Sequence, residues 1–248
     1  MTTWDAEWFR RYYGDDYARS VQDLLGRERS EREVRFILAA TGLSQGAPVA
    51  DLGCGEGRHA LWLARLGHPV TAIDLNGDFL ARGEEQASRE ELPVRWVRGD
   101  MRTPESGPYG LVLLLFHSFG FFSDRENLAL LRDWRQEMEP HGRIVIDVWN
   151  PLRILRDFAP HEERRLAAGW TLAEDRDWDP GTHRLRVHYT YRLPDGRAHA
   201  YDASFRLYAK EELEDLLADA GLPPRAAFGS LVGDEWRPDA ARVVLVAG

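Results

Sequence analysis

The residues of this chain whose types and spacing could do chemistry are gathered between Asp51 and His117. Asp51-Leu52-Gly53-Cys54-Gly55-Glu56-Gly57 sets three glycines at every second position, directly after the apolar Pro48-Val49-Ala50. Glycines so spaced let the backbone approach a ligand where a Cβ would obstruct it. A helix opening just behind them, at Arg58, aims its free N–H groups and positive dipole end at that ligand. A nucleotide-like group with a carboxylate or phosphate suits such a turn. Two more carboxylates, Asp74 and Asp100, close the apolar stretches Pro69 to Ile73 and Val94 to Val97. A carboxylate at a strand end can accept hydrogen bonds from both hydroxyls of a ribose. His117, after the run Leu111 to Phe116, is the best-placed imidazole for base chemistry near neutrality; its competing reading is a hydrogen-bonded wall residue.

Spacing narrows the ligand. A dinucleotide fingerprint needs its third glycine where Arg58 stands, and a triphosphate loop needs a Gly-Lys-Ser/Thr ending that is missing here. An acidic-x-Gly-x-Gly-x-Gly motif after an opening strand resembles the first motif of the class I S-adenosylmethionine-dependent methyltransferases, and residues 51–57 match it position for position. The resemblance implies S-adenosylmethionine as cofactor, held by Asp51, Gly53, Cys54, Gly55, Gly57 and Arg58, by Asp74 and Leu75, by Asp100 and Met101, and by Phe116. In it Asp74 takes the ribose hydroxyls, Asp100 the adenine amino group, and the Met101 N–H the ring. Cys54 is read as filling a small space beside the cofactor, not as a nucleophile. The family often begins its fourth strand with an aspartate, where this chain has Gly110. The fourth-strand exit, Leu115-Phe116-His117-Ser118-Phe119-Gly120-Phe121-Phe122, lacks the Asn/Asp-Pro-Pro-Tyr and Pro-Cys signatures of base-methylating enzymes. It looks instead like that of a branch of small-molecule or uncharacterised methyltransferases.

The expected reaction is in-line methyl transfer to a small molecule, which needs proximity and orientation more than an obligatory acid or metal. A base matters only if the nucleophile arrives protonated, and His117 is the candidate. Tyr12, Tyr13 and Tyr17 are candidates to face the sulfonium or a cationic substrate through their rings, with Asn150 as a further substrate contact. Packing of a helical arm is the competing reading of the tyrosines. The alternative function is a non-catalytic protein that binds the cofactor as a sensor or assembly partner. A nicotinamide dehydrogenase is disfavoured by the misplaced third glycine. His141, His161, His183, His188 and His199 show no metal-ligand spacing, so no metal is expected.

The elements that must position these residues read as strand–helix repeats from Pro48 to Val148, which call for a parallel sheet covered on both faces. The expected fold is α/β: a seven-stranded, mostly parallel, doubly wound Rossmann-like sheet with a helical N-terminal cap and an inserted antiparallel β meander. The cap spans residues 1–46 and is aromatic and charged from Trp4 to Leu25. Ser30-Glu31-Arg32-Glu33 reads as a capping box, as does Ser123-Asp124-Arg125-Glu126. The core takes 47–157 and 208–248, with Arg242 to Ala247 in a closing antiparallel hairpin. The meander lies in 158–207, with strands at Trp170–Trp178, Arg184–Leu193 and Ala198–Leu207 joined by Pro-Gly and Asp-Gly turns. It is read equally as a substrate lid and as a scaffold or homodimer surface. The 248 residues carry a formal net charge of −9 and one cysteine. That charge argues against nucleic acid as a partner, and the single cysteine points to a reducing compartment. The N-terminus has neither a basic start nor an apolar stretch, and no apolar run reaches bilayer length. A cytoplasmic location with a small-molecule substrate and no membrane partner follows as the expectation.

Overall fold

A computed structural model describes residues 5–166 and 169–248; Trp4, which opens the aromatic stretch, lies outside them. Seven strands form one sheet in the order β10-β11-β5-β4-β1-β2-β3. Strands β1 (Val49–Leu52), β2 (Val70–Asp74), β3 (Val94–Arg98), β4 (Tyr109–Leu114) and β5 (Met138–Trp149) run parallel. The hairpin of β10 (Pro224–Phe228) and β11 (Arg242–Ala247) closes the sheet antiparallel to β5. Alternate residues of each strand enter opposite cores, as period-two side chains must. Val49, Leu111, Leu113 and Val145 meet Val34 and Ile37 of α3 (Arg27–Thr41) and Ala60 and Leu63 of α4 (Arg58–Arg65). Ala50, Leu52, Val112 and Ile144 face the other way, onto Leu130 and Trp134 of α6 (Asp124–Gln136) and Leu213 and Leu217 of α8 (Lys210–Asp219).

A second sheet is antiparallel, in the order β6-β7-β8-β9. Three of its strands, β7 (Thr171–Asp179), β8 (Arg184–Arg192) and β9 (Ala198–Arg206), sit where the alternating pattern places them. The fourth, β6 (His161–Arg165), is His-Glu-Glu-Arg-Arg; it pairs with β7 through backbone groups and buries no apolar face, so periodicity could not find it. Leu185, Val187, Tyr189 and Tyr191 of β8 share a core with Trp8, Phe9 and Tyr12 of the N-terminal arm. The arm comprises α1 (Phe9–Tyr12) and α2 (Asp15–Val21).

Two local expectations fail for physical reasons. Helix α3 starts at Arg27 behind Gly26, so Ser30 lies inside it and returns its hydroxyl to the Gly26 carbonyl, and Glu33 is buried rather than capping. Met138, whose spacing from Leu128, Leu131 and Trp134 predicts a place on the same helix face, instead opens β5 and pairs with Tyr109. The Ser123 box, by contrast, is formed reciprocally with Glu126. Among the described residues no helix is long and apolar enough to cross a membrane.

Candidate active site

The turn after β1 follows from its glycines. Gly53 and Gly55 take φ values of +66° and +59°, a left-handed backbone that L side chains rarely adopt. The Gly53 and Cys54 N–H groups donate to the Ile73 carbonyl, fixing the turn against the end of β2. Asp74 completes the bend: its Oδ2 accepts the Gly55 N–H at 2.8 Å and its Oδ1 the Asn76 N–H at 2.8 Å. Asn76 in turn caps α5 (Gly77–Arg89), accepting from the Asp78 and Phe79 N–H groups.

A cavity of about 1010 Å³ opens over this edge of the sheet. Asp51, Gly53, Cys54, Gly55, Arg58, Asp74, Leu75, Asp100, Met101 and Phe116 line it, together with Tyr13 and Tyr17 of the arm. Three predicted residues, Asp51 of β1, Asp74 of β2 and Asp100 of the loop after β3, are thus brought to one space. Burial raises the Asp74 carboxyl above the usual range against its backbone hydrogen bonds. Asp100 is held below that range: its burial is outweighed by hydrogen bonds from Arg102, with Arg10 nearby.

Two polar atoms in this cavity stand out. Asp51 is 3% exposed and its Oδ2 has no hydrogen-bond partner among the described residues. Burial pushes its carboxyl up to about 7, opposed by the Arg58 guanidinium and reinforced by Asp74. Arg58, at the first position of α4, gives Nη1 to Glu33 and Ser30, while its buried Nη2 also lacks a hydrogen-bond partner among the described residues. Unmet buried donors and acceptors are costly. An orphaned acid and an orphaned guanidinium N–H, both lining the same cavity, suit an α-amino acid with its ammonium and carboxylate. The amino-acid end of S-adenosylmethionine is such a group, and the residues present fit it.

Four predicted residues lie elsewhere. His117 is buried and does not line the cavity; its Nδ1 accepts the Trp149 N–H at 3.0 Å and its Nε2 abuts the Arg242 guanidinium. Burial, and then the charge of Arg242, hold it well below its ordinary pKa. A ring so engaged is no proton acceptor for a substrate. Tyr12 stacks on Tyr189 with centroids 4.7 Å apart, inside the core between arm and meander. Asn150 is a cap: Oδ1 accepts the Leu152 N–H, and Nδ2 donates to the Pro238 and Ala240 carbonyls. Gly57 caps α4 at φ +76° outside the lining, and a Cβ there would meet the Trp96 ring at 2.3 Å. Its requirement is packing.

Sequence reasoning missed the frame behind Phe116. Asp147, 1% exposed, accepts the Phe116 N–H at 3.0 Å and binds Arg242, whose Nε donates to Oδ1 at 2.7 Å. Phe116 sits at φ +53°, and its ring lies within 5.4 Å of Arg58 and 5.6 Å of Arg242. The carboxylate in the apolar run Ile144-Val145-Ile146-Asp147-Val148 is itself a signal that a buried cation must answer it. Arg184 of β8 adds a second tie, donating to the Phe121 and Phe122 carbonyls at 2.9 and 3.0 Å. The described residues hold no group of three or more His, Cys, Asp or Glu that could bind a metal ion.

Residues 49–142 match the family model of a methyltransferase domain. Across 221 residues the chain is 27% identical to a dTDP-3-amino-3,6-dideoxy-alpha-D-glucopyranose N,N-dimethyltransferase of Streptomyces fradiae, covering 84% of this chain and 78% of the relative. It is 22% identical over 231 residues to a glycine/sarcosine N-methyltransferase of Aphanothece halophytica, covering 91% and 85%. The fold matches the CcbJ methyltransferase of Streptomyces caelestis with a TM-score of 0.80 and 22% identity, over 94% of this chain and 98% of that one. With the glycine turn, the strand-end acids and the seven-stranded sheet in place, residues 49–142 are a class I S-adenosylmethionine-dependent methyltransferase domain, and the chain is an enzyme that uses that cofactor.

Proposed function

We propose that this enzyme methylates the nitrogen of a small amine. The observation that carries this reading is the aromatic share of the cavity lining. The rings of Phe9, Tyr13, Tyr17, Phe116 and Phe121 belong to it, while His117 is turned away and engaged. A neutral amine brings its own lone pair and needs no side-chain base at the moment of transfer; a hydroxyl would. The ammonium product is then stabilised by the ring faces around it. The names of the two curated relatives, both N-methyltransferases, support the same nitrogen chemistry.

In this reading Asp51 receives the cofactor's ammonium and Arg58 its carboxylate. The Gly53–Gly55 backbone lies along the thioether chain, with Cys54 filling the space beside it. Asp74 takes the ribose hydroxyls next to Leu75, and Asp100 with the Met101 N–H takes the adenine edge. When bound, the cofactor supplies an electrophilic methyl on a sulfonium. Tyr13 and Tyr17 orient the amine toward that methyl and exclude water. The cap, core and meander are assigned to 1–46, 47–157 with 208–248, and 158–207, the meander serving as the scaffold of the arm.

The test is mass spectrometry after incubation with S-adenosylmethionine and matched pairs of amines and hydroxy analogues, spanning amino acids and amino sugars. N-methylated product from amines alone is expected. Methylation confined to oxygen or sulfur overturns the amine assignment. Tight cofactor binding with no transfer to any acceptor would favour the sensor reading.

A further inference from the structure

Glu33 is a buried carboxylate that the glycine turn does not explain. It lies on α3, 25 residues before Arg58, and is 1% exposed. Its Oε2 receives Arg58 Nη1 and lies 2.9 Å from His59 Nε2; its Oε1 accepts Arg29 Nε at 2.8 Å. Ser30, one turn earlier on the same helix, lines the cavity and takes a second contact from Arg58 Nη1 at 3.3 Å. An arginine side chain is long and loses much rotamer freedom when fixed. Here one end of the guanidinium fork is anchored to α3, so the other end, Nη2, is held in place with no hydrogen-bond partner among the described residues. Planar fork geometry means that fixing Nη1 also fixes where Nη2 points.

We propose that Glu33 is a positioning residue for the cofactor: by anchoring Nη1 of Arg58 it aims the unpartnered Nη2 at the carboxylate of the amino-acid end. Glu33 thereby becomes part of the cofactor site without itself lining the cavity. His59 contributes the same way, presenting a neutral ring to Glu33, since burial and the Arg58 charge bring its pKa down to about 4. The inference rests on the assignment of Arg58 to that carboxylate.

Two ligands separate the possibilities by calorimetry. S-adenosylhomocysteine carries the amino-acid end, and 5′-methylthioadenosine lacks it. Glu33→Gln is expected to weaken S-adenosylhomocysteine about tenfold and to leave 5′-methylthioadenosine within about twofold. Arg58→Met should show the same selective loss, and the double variant should be no worse than Arg58→Met alone, because residues acting through one another are not additive. Should Glu33→Gln fold poorly, Glu33→Asp retains the charge but falls short of Arg58, and the same selective loss is expected. Melting temperatures run alongside, since a merely structural role lowers them without discriminating the two ligands. Equal weakening of both ligands, or a further loss when Glu33→Gln is added to Arg58→Met, overturns the positioning role. If wild type binds both ligands equally and Arg58→Met changes neither, the assignment of Arg58 itself falls, and the positioning role with it.

Discussion

At the scale of single residues, the sharpest consequence concerns Asp51. Its carboxyl is raised to about 7, chiefly by burial. A folded-state pKa above the unfolded one means that the native protein holds the proton more tightly than the unfolded chain. Stability of the ligand-free enzyme therefore falls as pH rises from the ordinary carboxylate range through about 7, by an amount on the order of a few kcal/mol. Asp51→Asn should remove that loss: melting temperatures of the variant and wild type lie closest near pH 4 and separate progressively up to pH 8, with the variant higher. In the presence of cofactor the order should reverse, because the amide cannot pair with an ammonium. Cofactor binding should also release a proton below pH 7, seen as a calorimetric heat that changes with buffer ionisation enthalpy and disappears in Asp51→Asn. Curves for the two proteins that run parallel across this pH range would show that Asp51 does not titrate there.

At the scale of elements, the arm and the meander form one support for the cavity wall. Tyr12 stacks on Tyr189, Trp8 meets Phe205 edge-on at 4.8 Å, and Asp16 accepts from Tyr201 Oη at 2.8 Å. Tyr13 and Tyr17, next along the arm, line the cavity. Tyr189→Ala removes a buried ring from this joint, and truncating a large buried aromatic costs about 3–5 kcal/mol. We expect cofactor affinity to drop severalfold in that variant although Tyr189 does not line the cavity, with faster proteolysis between residues 5 and 25. Unchanged affinity in the folded variant would show that the arm holds its place without the meander. Much of this was legible in the sequence. The spacing of Gly53, Gly55 and Gly57 and the strand-end acids Asp74 and Asp100 placed the turn and the sheet edge, because local backbone chemistry sets both. His117, Tyr12 and Asn150 misled because adjacency along the chain does not say which way a side chain turns. His117 and Phe116 are neighbours, yet one faces Arg242 and the other the cavity. Glu33 misled in the same way: its local capping pattern yielded to partners, Arg58 and His59, supplied from a distant helix.

At the scale of the whole molecule, one apolar core runs through both sheets, joining Ile146 and Leu245 of the large sheet to Val187 and Phe205 of the small one. Structures that share a core unfold together. Urea unfolding should show a single transition, coincident by far-ultraviolet circular dichroism and tryptophan fluorescence, and saturating cofactor at one hundred times its Kd should raise stability by about 2.7 kcal/mol. Two separated transitions would mean that the meander holds together by itself. The fastenings across the cavity differ in kind from that core. Arg10 with Asp100, Arg102 with Glu7, and Arg82 with Asp15 join the arm to the loop after β3 and to α5 as partly exposed ion pairs. Such pairs weaken as salt screens them, whereas aromatic burial does not. Concentrated electrolyte should therefore hasten dissociation of the spent cofactor, read by stopped-flow, while leaving the urea transition in place; a salt-independent dissociation rate would show that these pairs do not hold the ligand.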